Sequence, residues 1–425
     1  MDLPVDVLAE IFSAHVQGEE LKRQKQAALC QRSPSPLASL CLSHVCRQWR
    51  LAAFSTPEIW RYIHIDLTCC SQAMGVARPV YLPRFALWSL QRAGVCPLQI
   101  SFSNVGSEPA MELMRDLLCL NEALVGRVER LEIGLTGASY LGFLSILQFF
   151  DTSSLQEVAF HHAGYFNLHE TVPIEALRAL QHAPYLQSLS LARIQWYNTG
   201  GVVLDSVTTL QVDLGHKHEA LLSKALHSFP NLVHLDLVCT DNIKLTDSWE
   251  PVCDVQLPHL ESIAFDPRIC HYYFHKLDAP KLSSFTARNF TRLSPRFLEH
   301  LPRKPVLSTL RLENFSPDED VFQGQDRWSY RSLESLKAEW TSRYLPGIDG
   351  FVSCLRNHSE ISTLEIISSQ IDDQYIQALV EDSLLLQHMK TLRLHDCQSF
   401  SQAAVEALRF ARSHDPEFTL QYTTA

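Results

Sequence analysis

The sequence predicts an α/β chain made of one strand-and-helix unit repeated many times, preceded by a small helical module. Three observations predict it. The pattern L-x-x-L-x-L recurs along most of the chain, as in Leu232, Leu235 and Leu237. Helix-period segments separate its copies, and prolines stand in one register before several of them. In a strand, alternate residues share a face, so Leu235 and Leu237 point one way and His234, Asp236 and Val238 the other. One such strand cannot bury its apolar side, so stacking of copies is what makes a core possible.

The copies open at Val128, Leu155, Leu186, Val207, Leu232, Leu260, Leu282, Leu307, Leu333, Ile361 and Met389, about 21 to 31 residues apart. Tyr62–Leu67 and Leu98–Phe102 read as strands that open the array, with a helix-like 85–93 between them. Phe418–Tyr422 reads as a closing strand. Helical patterns fall at 174–182, 220–229, 351–357, 375–385 and 403–411. Pro184, Pro230, Pro258, Pro280 and Pro305 each stand two residues before a repeat's first apolar residue, where proline stops a helix and favours extended geometry. These features resemble a leucine-rich-repeat solenoid, which implies parallel strands on a concave face and helices on the convex one over 67–425. The family's Asn or Cys at the ninth position is matched only by Cys397. Thr136, Thr240 and Ser369 can substitute there, Phe315 and Ile194 cannot, and Asn289 and Asn314 fall one place early, so the repeats are irregular.

The first 66 residues read differently. Leu3-Pro4 opens a helix whose Val7, Leu8, Ile11 and Phe12 give a broad apolar stripe, with Pro4 in the first turn and Asp6 complementing the helix dipole. From about Gly18 to Pro36 the pattern dissolves into a solvated insert whose first part can be helical and which contains Ser33-Pro-Ser-Pro36, a candidate phosphorylation site or a plain loop. A second apolar run passes through Leu40, Leu42, Val45, Cys46 and Trp49. Ser55-Thr-Pro57 then caps another turn before Trp60. Periodicity alone allows either a cap for the array or a partner-binding module.

Leu3-Pro4 with Leu8 and Ile11, Val45-Cys-Arg-Gln-Trp-Arg50 and Ser55-Thr-Pro-Glu-Ile-Trp60 together resemble an F-box of a type common in fungal proteins. The resemblance covers about residues 1–66, with a longer gap between Phe12 and Leu40 than in a compact F-box. It implies docking on the adaptor Skp1, and through it on a cullin, by Leu3, Pro4, Leu8, Ile11, Val45, Cys46 and Trp49. It places Trp60 inside, against the first strand.

Charge narrows the partners. The chain has 36 basic and 47 acidic side chains, a net charge of −11. Residues 1–66 hold seven of each, so the whole deficit, 40 against 29, lies beyond Asp66. Such a surface repels a phosphate backbone, which argues against general nucleic-acid binding. The start carries acid and proline rather than the basic and apolar residues of a secretory signal, and the uncharged stretch 133–150 is broken by glycines, against a membrane span. The twelve cysteines are scattered without a C-x-x-C pair and read as reduced thiols, Cys69-Cys70 included. Cytoplasm or nucleus is the expected location.

Catalytic signatures are missing: there is no phosphate-cradling glycine loop, no G-x-S-x-G and no H-E-x-x-H. His161-His162 with His169-Glu170, or Cys270 with His271 and His275, could supply metal ligands. Surface or core-edge histidines are the competing reading, and no cofactor is expected. The strand face opposite the leucines is richer. Its first row is Ser188, Thr209, Ser262, Ser284, Thr309, Ser335, Thr363 and Thr391, eight of eleven repeats, which suits a wet, stacked sheet face. The rows beyond it include Glu132, Asp213, Asp236 and Asp266. From Arg288 onward, Arg311, Glu313, Lys337, Glu339, Glu365, Arg393 and His395 interleave both signs as a candidate target-binding face. The expected function is a non-enzymatic substrate-recognition subunit of an Skp1–cullin–F-box ubiquitin ligase, monomeric within the larger complex, whose repeats bind a protein target. The alternatives are a leucine-rich-repeat binding scaffold outside any ligase and a metal-dependent enzyme.

Overall fold

The computed structural model describes residues 3–28, 38–67, 81–119, 126–136, 150–162, 174–192, 201–213, 225–238, 255–265, 277–288, 307–313, 333–339, 348, 352, 355–356, 358, 360–367, 371–382, 385, 388–397 and 400–423. Two compact units emerge, Met1–Phe229 and Pro230–Ala425. The helical module therefore shares its unit with the first repeats, and the units divide inside the array.

The first unit starts with helix α1, Val5–Ala28, which carries the chain well into the predicted insert. The Glu19 carboxylate accepts from Lys22 one turn on, at 2.8 Å, and nothing crowds Gly18, so the helix runs on through the glycine. Leu8, Phe12 and Val16 recur every fourth residue and are buried. The second apolar run folds as two helices, α2 (Ala38–His44) and α3 (Arg47–Phe54). They break at Cys46, whose extended backbone lets its sulfur accept the Trp49 N–H at 3.4 Å. Thr56 precedes a 3-10 turn, Pro57–Trp60, but its hydroxyl donates back to the Ala52 carbonyl rather than capping that turn. Trp60 is buried, donates its indole N–H to the Ala53 carbonyl at 2.8 Å and packs edge-on to Trp88.

Six parallel strands follow in this unit: β1 (Tyr62–Asp66), β2 (Leu98–Val105), β3 (Val128–Leu135), β4 (Glu157–His162), β5 (Ser188–Ala192) and β6 (Thr209–Asp213). Helices α4 (Tyr81–Arg92), α5 (Glu108–Cys119) and α6 (Ile174–Gln181) lie between them in the chain. In the second unit β7 (His234–Val238), β9 (Ser262–Phe265), β11 (Ser284–Arg288), β12 (Thr309–Glu313), β13 (Ser335–Glu339), β14 (Thr363–Ile367), β15 (Thr391–His395) and β16 (Thr419–Tyr422) pair in that order, all parallel. A separate short pair joins β8 (Val255–Gln256) to β10 (Leu277–Asp278). Helices α7 (Asp373–Glu381) and α8 (Gln402–Ala411) separate the last three strands of the larger sheet. Both are capped as the sequence allows, Asp372 accepting the Gln374 N–H at 3.0 Å and Ser401 the Ala404 N–H at 3.2 Å.

Each unit is a leucine-rich-repeat solenoid: parallel strands in chain order, one per repeat, with the leucine positions buried and the alternate positions forming an open face. Phe265 and Phe285 meet edge-to-face at 4.9 Å beneath the second sheet, filling space beside the small Ala287. Two devices fix the register. Ala183–Leu186, Leu257–Leu260 and Ala279–Leu282 close turns in which the fourth N–H donates to the first carbonyl, at 3.3, 3.1 and 3.1 Å. Pro184, Pro258 and Pro280 occupy the second turn position, which their fixed φ favours. The residue before several strands adds a hydroxyl that donates to the preceding repeat's carbonyl: Ser283 to Glu261, Ser308 to Ser283 and Ser362 to Glu334, at 3.3, 3.2 and 3.1 Å. Cys397 is buried at the ninth position and donates to the His395 carbonyl at 3.3 Å, while Thr136 packs against Gly106 so closely that a Cβ there would collide with it. Asn289, Asn314, Phe315, Ile194, Thr240, Ser369, Pro305, Asp266, Cys69, Cys70, Ser33 and Ser35 lie outside the described residues.

Candidate functional site

The helical module presents α1 as a helix apolar on two sides. Leu8 and Phe12 face inward, Phe12 at 5.0 Å from the Trp49 ring. Leu3, Val7 and Ile11, also four residues apart, stay exposed at 46, 40 and 47 %. Val45, 59 % exposed, sits at the α2–α3 break, and the Gln48 side chain donates to the Leu3 carbonyl at 2.7 Å, tying the two ends together. Of the seven residues the F-box resemblance implies, Leu3, Pro4, Ile11, Val45 and Cys46 are exposed and Trp49 is half-buried. Leu8 is 1 % exposed: in the free chain it is a core residue, not a contact surface.

On the open face of the first unit, α1 and α2 stand over the strands. Val16, Glu19 and Glu20 from α1 and Ala38 and Ser39 from α2 line one cleft of about 590 Å³ with Tyr62, His64, Gln99, Ser101, Arg130 and Glu132. Ser101 and Glu132, on the polar side of their strands, are consequently buried. Arg130 donates to Glu157 at 2.8 Å, and Glu132 lies 4.0 Å from Arg130 and 3.9 Å from His161. Burial pushes the Glu157 carboxyl above the usual carboxylate range against the pull of Arg130, with Glu132 and Glu20 adding to the rise. His64 sits between two hydroxyls, Ser101 at 3.2 Å on Nδ1 and Ser103 at 3.4 Å on Nε2.

On the second unit the candidate target-binding residues do come together. Ser262, Ser284, Thr309, Ser335, Thr363, Thr391 and Thr419 run as one in-register row across seven strands. Beyond it, Arg288 bridges Asp236 and Glu313, and the Arg311 guanidinium lies 2.6 Å from the Glu313 carboxylate. Lys337 pairs with Glu365, which Arg393 approaches at 3.7 Å, and the His395 ring meets Thr423 at 3.3 Å. Burial pushes the Asp236 carboxyl up more than Arg288 pulls it down. At Glu365 burial acts the same way, but the Lys337 hydrogen bond and charge, with His395 and Arg393, outweigh it and hold that carboxyl below the usual range.

No known family matches the sequence, and no curated protein matches it. Among solved structures, a Bacteroides fragilis protein determined by a structural-genomics consortium aligns at 15 % identity and TM-score 0.37, covering 71 % of this chain and 76 % of that one. TLR13, solved in complex with ssRNA13, aligns at 12 % identity and TM-score 0.41, covering 79 % of this chain and 44 % of that one. This chain thus spans less than half the length of TLR13. Alignments this loose assign no partner, and the fold class rests on the strands themselves.

The sequence missed the cleft under α1, because nothing local signals that a helix will continue and fold over a distant strand. It also missed the hydroxyls before the strands, although Thr208, Ser283, Ser308 and Ser362 form a visible column. Of the suggested metal ligands, His161 and His162 end β4, whereas His169, Glu170, Cys270, His271 and His275 lie outside the described residues. Among the described residues no group of three His, Cys, Asp or Glu could hold a metal ion, and no helix is long and apolar enough to cross a membrane.

Proposed function

We propose that the chain is the substrate-recognition subunit of an Skp1–cullin–F-box ubiquitin ligase, working in the cytoplasm or nucleus. The observation that carries this reading is the second apolar side of α1. Its inner residues supply the module's core, and the exposed Leu3, Val7 and Ile11 with Val45 form the kind of apolar patch that a protein partner covers. Of these, Leu3, Ile11 and Val45 are among the positions that the F-box resemblance implies for adaptor contact. The repeats supply the other half of the function, an extended protein-binding scaffold face. No residue of the chain does chemistry in this scheme. The subunit raises the effective concentration of the target beside the ubiquitin-loading enzyme and orients it there.

Affinity purification of the full chain with Skp1 and a cullin tests the proposal. The wild type is expected to recover both, and Ile11→Asp with Val45→Asp, both surface changes, to recover neither. Skp1 without a cullin points to a scaffold outside a ligase. Failure of the wild type to bind Skp1 overturns the proposal altogether.

A further inference from the structure

On strands β12 and β13 the open face carries three matched rungs: Thr309 beside Ser335, Arg311 beside Lys337, and Glu313, two residues beyond Arg311, with Glu339 at the equivalent place on the next strand. Neighbouring parallel strands are about 4.8 Å apart and alternate rungs about 6.6 Å apart along the strand. Like charges thus stand side by side on two consecutive rungs. Such neighbours repel, and most sheets avoid them. The ion pairs relieve this only outward. Arg311 turns to Glu313 and on to Arg288 and Asp236, while Lys337 turns to Glu365 and Arg393. Among the described residues no carboxylate bridges Arg311 and Lys337, and Glu339 takes part in no ion pair or hydrogen bond. The Thr309 and Ser335 hydroxyls stand half-exposed one rung away.

We infer that these two strands are where the target protein is read, by a segment that places an acidic side chain between Arg311 and Lys337 and a basic side chain against Glu339 and Glu313. This rests on the reading of the repeats as the target-binding half. The acidic group would gain two cations and two hydroxyl donors at once, and the basic group would meet the one carboxylate of the patch without a partner. Extended chain puts residues i and i+2 on one face at the same spacing as the rungs, so acid-x-base is the matching order. The charge pattern also rejects partners of a single sign, because either rung then meets a like charge.

The test uses the full-length chain and labelled peptides of about nine residues, long enough to cross both rungs. One carries Glu-x-Lys in a Ser/Thr/Ala background, and one carries Lys-x-Lys. Fluorescence anisotropy is expected to show binding of the Glu-x-Lys peptide, weakened about tenfold by Arg311→Gln with Lys337→Gln and about tenfold for the Lys-x-Lys peptide. Circular dichroism and unchanged Skp1 recovery confirm that the variant is folded. Equal binding of both peptides, equal binding by the variant, or no binding by the wild type overturns the inference. Loss of Skp1 recovery in the wild type overturns the ligase reading instead and leaves the peptide result standing.

Discussion

The open faces of the two units are built from the same strand positions and are put to opposite uses. Over β1–β4 the face lies beneath α1 and α2. It carries Gly134, buried Ser101 and Glu132, and a Glu157 whose carboxyl burial has pushed up. Over β11–β15 the same positions hold long charged side chains, half-exposed and paired across strands, with Arg311 and Arg393 keeping 43 and 41 % of their side chains in water. A repeat fold fixes where side chains point, not what covers them. The first face is overlain by the helical module of the same chain, and the second keeps its charged side chains half-exposed.

Emptying the core of the helical module gives the largest effect. Phe12→Ala removes a fully buried ring packed on Trp49 and is expected to cost about 3–5 kcal/mol, read by chemical denaturation. A second change strikes the first face from the strand side. A Cβ at Gly134 would lie 2.6 Å from His161 Nε2, so that ring must turn aside, and Gly134→Ala is expected to cost about 1 kcal/mol. The corresponding surface change in the second unit, Glu339→Ala, should stay within about 0.5 kcal/mol. Equal costs would erase the contrast between buried and open faces.

Acidity separates Glu157 from Glu365 by sign. Glu157 has a raised folded-state value, so the folded chain binds more protons than the unfolded chain between the ordinary and the raised pKa. Its contribution to stability therefore falls as pH rises through that window, and Glu157→Gln should flatten this fall. Glu365 is lowered, so its contribution is present above the ordinary carboxylate pKa and is lost as pH falls through the depressed value, a loss Glu365→Gln should abolish. Melting curves from pH 3 to 7, a range of about four units around the carboxylate values, would break the comparison if both variants changed the slope in the same direction. Among the ion pairs of the second face the effect is small: Lys337→Met opens a half-exposed pair with Glu365 and should cost about 0.5–1 kcal/mol, less at high salt.

The strands were legible because each announces itself: a period of two over five residues, a hydroxyl in the first row and a proline turn before several of them. The charged row from Arg288 to His395 was legible for the same reason, since a parallel register carries sequence position directly into spatial rows. What could not be read depends on distance. Leu8 and Ile11 look alike in the sequence, and only the packing of α1 against Trp49 sends one inward and leaves the other exposed. The periodic pattern fades at Gly18 without fixing where α1 ends, and the helix runs on past the Glu19–Lys22 pair with Val16 buried. The prolines were placed correctly by counting, yet their physical role is the second position of a tight turn, which pattern alone does not reveal.

We propose that one chain carries two separable binding surfaces, the outer side of α1 for the adaptor and the second unit's open face for the target. Titration calorimetry of the purified full chain with Skp1 tests it most directly. The account predicts that Ile11→Asp with Val45→Asp weakens Skp1 binding about a hundredfold, while Arg311→Gln with Lys337→Gln leaves it unchanged. Unchanged affinity in the first variant, or a comparable loss in the second, contradicts it.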